Sequence, residues 1–188
     1  SLRAAVDESF HALNVDGCPS TNDTVVLLAS GASGARPTPE DFTEAVRTVC
    51  WELANQLAAD AEGASRVVTL TVTGAEDNRT ARLAGRAITD SALVRSAFFG
   101  ADPNWGRLLG ALGATDIDFD PATFGVAYAG IDVARNGVAA PHDRAALHEL
   151  LADGDFAVAV KIGRGSGRAT VIATDLTPEY VTFNAEYS

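Results

Sequence analysis

Apolar positions along this chain follow two periods, and each predicts different elements. Arg66-Val67-Val68-Thr69-Leu70-Thr71-Val72-Thr73 alternates. Val68, Leu70 and Val72 fall on one side and the three threonines on the other, so the stretch predicts a strand. Val25 to Ala29 is uniformly apolar and too short for a helix. It predicts a central strand buried on both faces. Helical spacing governs most of the remaining first half. Leu2, Ala5, Val6, Phe10 and Leu13 predict a first helix. Thr38 as N-cap, Pro39 in the first turn and Asp41 three residues after the cap predict the start of a second. That helix runs to about Gly63, with Phe42, Val46, Val49, Leu53 and Leu57 as its buried stripe. A third runs from Asn78 to Phe98, burying Leu83, Ala84, Ala87, Ile88, Val94 and Phe98.

The second half reads as shorter pieces. Gly100 to Arg107 predicts a turn that feeds a short helix, Leu108 to Leu112, stopped by Gly113. Short strands are expected at Phe124 to Tyr128 and Ile131 to Ala134, and a short helix at Asp143 to Leu151. Phe156 to Ile162 and Ala169 to Ala173 predict a hairpin joined by the glycine-rich Gly163 to Arg168. From Asp175 the tail predicts a helix followed by an extended end. The change of character after Ala114 suggests a main α/β layer over 1–114 and a second, smaller lobe with the tail over 115–188.

Composition narrows the function classes. In 188 residues, 47% are apolar, which gives a globular core. A net charge of −11 argues against nucleic acid and anionic membrane surfaces as partners. No apolar run is long enough to span a bilayer. Two cysteines, Cys18 and Cys50, form neither a disulfide framework nor a metal-ligand cluster, so a reducing, cytoplasmic setting is expected. With no methionine, the sequence is expected to be a fragment or a processed chain.

Several motifs invite chemistry and lose it on inspection. Gly163, Gly165 and Gly167 precede a strand-like segment and not a helix, so they do not make a phosphate loop. His11, His142 and His148 lack zinc or dyad spacing. Asp116, Asp118 and Asp120 lack the glycine and glutamate of a calcium loop. Ser20-Thr21-Asn22-Asp23-Thr24 reads either as a turn held by side-chain-to-backbone bonds or as a polar site before a strand. Asp102 to Arg107 reads either as a structural turn, with Asn104 able to cap the short helix and Arg107 able to bridge to a carboxylate, or as a site. Glu62 is sharper. It follows the C-terminal end of a long helix, where the dipole disfavours a carboxylate by about 0.3–1 kcal/mol. Either Arg66 neutralises it, or solvent screens it, or it accepts a cationic group.

Five stretches together resemble one family. Ser20-Thr21-Asn22-Asp23-Thr24, Asp60-Ala61-Glu62-Gly63, Asp102-Pro103-Asn104-Trp105-Gly106-Arg107, Thr174-Asp175-Leu176 and Asn184-Ala185-Glu186-Tyr187 occur in this order in the ornithine acetyltransferases (glutamate N-acetyltransferases). The resemblance covers essentially the whole chain and is to the β chain of a precursor that cuts itself in two. It implies an α-β-β-α sandwich of the self-processing, N-terminal-nucleophile-like type, and a cytoplasmic heterotetramer of two α and two β chains. It implies acetyl transfer from N-acetylornithine to glutamate through an acetyl-threonine, in arginine biosynthesis, with no metal or organic cofactor. Some members also accept acetyl-coenzyme A. Glu62 and Asn184 match the family's substrate-binding positions. The nucleophilic threonine is expected before Ser1, one further residue is expected after Ser188, and the oxyanion-hole residues belong to the α chain. This chain alone is then catalytically incomplete. Three other readings stay open: a paralogue in a specialised pathway, a self-processing amidase or aminopeptidase, and a non-catalytic partner domain.

Overall fold

A computed structural model describes residues 1–186; the expected extended end at 187–188 lies outside them. The chain forms one seven-stranded sheet with helices against it, a mixed α/β fold. In chain order the elements are α1 (Leu2–Asp7), a 3-10 turn (Phe10–Ala12), β1 (Leu13–Asn14), α2 (Pro39–Ala59), β2 (Val67–Ala75), α3 (Asn78–Asp90), α4 (Ala92–Phe99) and α5 (Trp105–Gly113). There follow β3 (Gly125–Tyr128), β4 (Ile131–Arg135), β5 (Val138–Ala139), α6 (Arg144–Ala152), β6 (Phe156–Lys161), β7 (Gly167–Thr174) and α7 (Pro178–Glu186). The strand order is β1-β7-β2-β6-β3-β4-β5.

The alternation of β2 does what it predicts. Val68, Leu70 and Val72 are fully buried, in register with Phe156, Val158 and Val160 of β6. This face meets Ala84 and Ile88 of α3, Phe98 of α4, Leu108 and Leu112 of α5, and Leu147 and Leu151 of α6. The opposite face carries Thr69, Thr71 and Thr73 beside Ala157, Ala159 and Thr170, all half-buried or exposed. α2 reaches that face only at one end, where Ala54 and Ala58 meet Val67 and Ile172. Strands from both sides of residue 114 interleave in the one sheet, so the change of character there is not a break between sheets.

Four expectations are corrected. Residues 25–29 form no strand; Val26 is 66% and Leu28 88% exposed, and the interior of the sheet is built from β7, β2, β6, β3 and β4. Apolar length alone makes a strand only where a partner strand completes the ladder, and no described residue pairs with this segment. On α2 the buried positions are Val46, Cys50, Ala54 and Ala58, while Val49, Leu53 and Leu57 are about half exposed. The small Ala54 and Ala58 let the helix approach Val67 and Ile172 closely, and Val46 and Cys50 pack against Ala5 of α1. The helix predicted from Asn78 to Phe98 divides at Ser91, whose side chain accepts from Val94 N and caps α4; Leu83 is exposed.

The fourth correction is topological. β6 and β7 do not pair, because β2 lies between them, parallel to β6 and antiparallel to β7. The loop Gly163–Ser166 is therefore a strap across the end of β2. Ile162 N donates to Thr73 O at 3.0 Å and Gly165 N to Gly74 O at 3.0 Å. A Cβ on Gly165 would lie 1.9 Å from Ala75 O, and one on Gly167 2.2 Å from Asp77 O. The glycines are there for close backbone approach, not for a hairpin turn.

Candidate functional site

β1 and β7 run parallel, so their C-terminal ends lie at the same end of the sheet. Beyond their ends the chain makes a polar junction. Its centre is Arg95 on α4, which is buried. The guanidinium donates from Nε to Thr174 O at 3.0 Å, and from Nη2 to Thr174 Oγ1 at 3.1 Å and Asp175 O at 2.9 Å. The backbone answers, Leu176 N donating to Arg95 O at 3.2 Å. Burial lowers the guanidinium's pKa, opposed by Tyr180, Asp16, Asp175 and Asp90 around it. A buried cation stays charged where its donors are satisfied, and here three donors find oxygen acceptors.

Asp175 faces away from Arg95 with its carboxylate. It is buried and accepts from Ser65 N at 2.9 Å, from Ser65 Oγ, and from Arg66 N at 3.3 Å. Arg66 Nε stands 3.8 Å from it, and Arg66 Nη1 donates to Leu151 O at 2.8 Å. The Thr174-Asp175-Leu176 motif is thus a clamp on the segment that follows Glu62 and Gly63. Thr177 tightens it: its Oγ1 donates to Gly63 O and accepts from Tyr180 N. Gly63 has φ +65°, and a Cβ there would lie 2.4 Å from Tyr180 N, so only glycine admits α7 so closely.

The start of α7 also reaches β1. Tyr180 packs its ring under Arg95, 5.4 Å from the centroid, and its hydroxyl donates to Asp16 Oδ2 at 3.5 Å. Burial and the Asp16 charge raise the Tyr180 pKa. Thr174 Oγ1 donates to Val15 O at 3.2 Å, and Asn14 Nδ2 to Thr89 Oγ1 and Asp90 Oδ1 at 2.6 and 2.8 Å.

Glu62 lies exposed in the turn after α2, two residues past the Asp60 cap, as its position predicts. Arg66 does not neutralise it, being taken by Asp175 and Leu151 O. No hydrogen bond or ion pair engages the Glu62 carboxylate among the described residues. Asn184 is exposed on α7, its Nδ2 donating to Tyr180 O at 3.0 Å, one turn back. Both residues therefore stand on elements that meet at Gly63 and Tyr180, with no hydrogen bond between their side chains.

The other motifs lie elsewhere or act locally. In the pentad, Ser20 Oγ accepts from Asp23 N at 3.0 Å and Asn22 N at 3.4 Å, a turn held by its own side chains. Asn104 caps α5, accepting from Arg107 N at 3.3 Å, and Arg107 donates to Leu93 O instead of a carboxylate. A cavity of about 730 Å³ adjoins that turn, lined by Asp102, Trp105, His142, Arg144 and His148 among others. Among the described residues no group of three or more His, Cys, Asp or Glu is placed to hold a metal ion. No described helix is long and apolar enough to cross a membrane. Both cysteines are free, and Cys50 is buried. The residue that sequence reasoning missed is Arg95. Its one signal is an arginine inside Leu93-Val94-Arg95-Ser96-Ala97-Phe98.

This α/β fold is shared with a class of solved protein. A crystal structure of the arginine biosynthesis bifunctional protein argJ from Bacillus halodurans matches with TM-score 0.93 and 34% identity, over 99% of this chain and 91% of that one. Curated proteins named arginine biosynthesis bifunctional protein ArgJ match along the whole chain: 47% identical in Thermobifida fusca and 46% in Mycobacterium tuberculosis. Those matches cover 100% of this chain but 48% and 46% of the relatives, so the chain spans about half their length. The ArgJ family profile matches residues 1–188, and the chain belongs to the ArgJ family.

Proposed function

We propose that this chain is the β half of an acetyltransferase of arginine biosynthesis, moving an acetyl group from N-acetylornithine to glutamate. The observation that carries the reading is the family match over residues 1–188. The uncommitted carboxylate of Glu62 beside a clamped tail supports it. A threonine at a chain N-terminus, outside Ser1–Ser188, supplies the nucleophile. Its α-amino group takes the hydroxyl proton as Oγ attacks the acetyl carbonyl. The tetrahedral intermediate collapses, the C–N bond breaks, and the proton passes to the departing ornithine amine. Glutamate then attacks the acetyl-threonine through its amino group and regenerates the hydroxyl. Donors for the oxyanion come from the partner chain.

Glu62 and Asn184 bind and orient. A carboxylate suits the cationic amino groups of both amino acids, and an amide can serve as donor and acceptor to a substrate carboxylate or carbonyl. Exposed in this chain, the carboxylate is screened by water. Covered by a partner chain and substrate, it binds a cation more strongly. A partner chain also accounts for the surface left open. Val25 and Leu27 are 39% and 40% exposed against 66% and 88% for Val26 and Leu28, the alternation of an extended segment short of a sheet. With Val49, Leu53 and Leu57 of α2, these are apolar surfaces that mark an interface.

The test is an acetyl-transfer assay on the full-length protein. N-acetylglutamate and ornithine are the expected products, and peptide hydrolysis without transfer contradicts the reading. Glu62→Ala is expected to raise KM for both substrates roughly tenfold, the loss of about 1.4 kcal/mol of binding, with folding intact. Unchanged KM values would remove Glu62 from the site.

A further inference from the structure

α7 carries Asn184, yet none of its described residues is buried. Val181 is 56% exposed. Core packing therefore does not decide where this helix lies. Its placement comes from the turn that leads into it, and Arg95 holds that turn from inside.

Three donors of one planar guanidinium meet Thr174 O, Thr174 Oγ1 and Asp175 O, while its face covers the Tyr180 ring. The same turn grips the Glu62 loop through Asp175 to Ser65 and Arg66 and through Thr177 to Gly63. It grips the segment before the pentad through Thr174 to Val15 and Tyr180 to Asp16. Four of the five family-like motifs are thus strung on segments that this one side chain ties together. A lysine could satisfy one of the three acceptors with a flexible point charge, but it cannot reproduce the fork or lie flat on the ring.

We propose that Arg95 is a positioning residue for acetyl transfer: by fixing the turn between β7 and α7 it sets Asn184 against the Glu62 loop. The proposal rests on the acetyltransferase reading for its kinetic arm and on geometry alone for its structural arm. It makes Arg95 act through α7 and not on the substrate.

The experiment is a double-mutant cycle on the full-length protein, with Arg95→Lys, Asn184→Ala and the pair. Arg95→Lys is expected to raise KM for N-acetylornithine and for glutamate about tenfold, as loss of charged hydrogen bonds would. kcat should change far less. In the Asn184→Ala background the same substitution should add less than about twofold, because coupled residues are not additive. Unchanged KM values, or the same factor in both backgrounds, overturn the proposal. Amide hydrogen exchange gives the structural arm: faster exchange over 178–186 with β2 unchanged is expected, and unchanged α7 exchange overturns the proposal. If Arg95→Lys does not accumulate folded, Tyr180→Leu removes the ring contact and should give the same exchange pattern. A wild-type protein that transfers no acetyl group sinks the acetyltransferase reading, while the exchange result still decides the clamp.

Discussion

Gly165→Ala is expected to destabilise the full-length protein by about 3 kcal/mol or more, the upper range for overpacking. The added Cβ has nowhere to go, since it would sit 1.9 Å from Ala75 O and 2.6 Å from Ala75 C. Both obstacles are backbone, and that backbone is the bulged end of β2, in the middle of the sheet. Relief requires lifting the strap, which breaks Gly165 N to Gly74 O and loosens Ile162 N to Thr73 O. Gly110→Ala is the control. It lies exposed on α5 with nothing within 4 Å of its Cβ position. There the substitution should stabilise by about 0.5–1 kcal/mol through helix propensity. Denaturant midpoints of the two variants check both. A loss of under about 1 kcal/mol for Gly165→Ala would mean that the strap has slack.

Asp175→Ala should cost about 3–5 kcal/mol, the range for removing one partner of a buried charge pair. The carboxylate is almost fully buried and accepts two backbone N–H groups and the Ser65 hydroxyl. Removing it strands those donors and leaves Arg66 with only Leu151 O. Asp175→Asn keeps acceptor capacity at one oxygen and should lose clearly less. Urea unfolding of both variants measures the difference. Equal losses would show that charge, and not the hydrogen-bond set, holds the Ser65–Arg66 segment. Where Asp175→Ala stays folded, substrate KM should rise as well, because the Glu62 turn is no longer held to the tail.

Local chemistry was legible wherever a short stretch decides its own conformation. Thr38, Pro39 and Asp41 start α2 as expected, with Thr38 Oγ1 accepting from Asp41 N at 3.1 Å. The period of β2 is unambiguous, and Asn104, able to cap the next helix, does cap α5, which starts at Trp105, earlier than the expected Leu108. Features that depend on a distant partner were not. The β6–β7 pair reads as a hairpin because the two strands are neighbours in sequence, and nothing in either strand announces that β2 intervenes. Three glycines in the connection were the trace of it, as a strap lying on a strand end needs bare backbone. Val25 to Ala29 has the composition of a buried strand without a described partner. On α2 Val46 is buried as its period predicts, but the large Val49, Leu53 and Leu57 are half exposed, whereas the small Ala54 and Ala58 fit against Ile172.

The site divides the same way. Glu62 is proposed from its position after a helix end and from the family motif, and Asn184 from the motif alone. Arg95 was not legible, since an arginine in a helix ordinarily points to water. Its burial is a property of the fold, created where the end of β7 leaves the carbonyls of Thr174 and Asp175 in need of donors. The aspartate of Thr174-Asp175-Leu176 proves to be a structural clamp that the motif did not itself disclose.

The most direct measurement is the intact mass of the full-length protein after incubation with N-acetylornithine and no acceptor, with wild type and Glu62→Ala side by side. Wild type is expected to gain the mass of one acetyl group and to lose it on addition of glutamate. Glu62→Ala is expected to do so only at roughly tenfold higher donor concentration. No acetyl adduct in wild type, or the same concentration dependence in both proteins, would contradict the account.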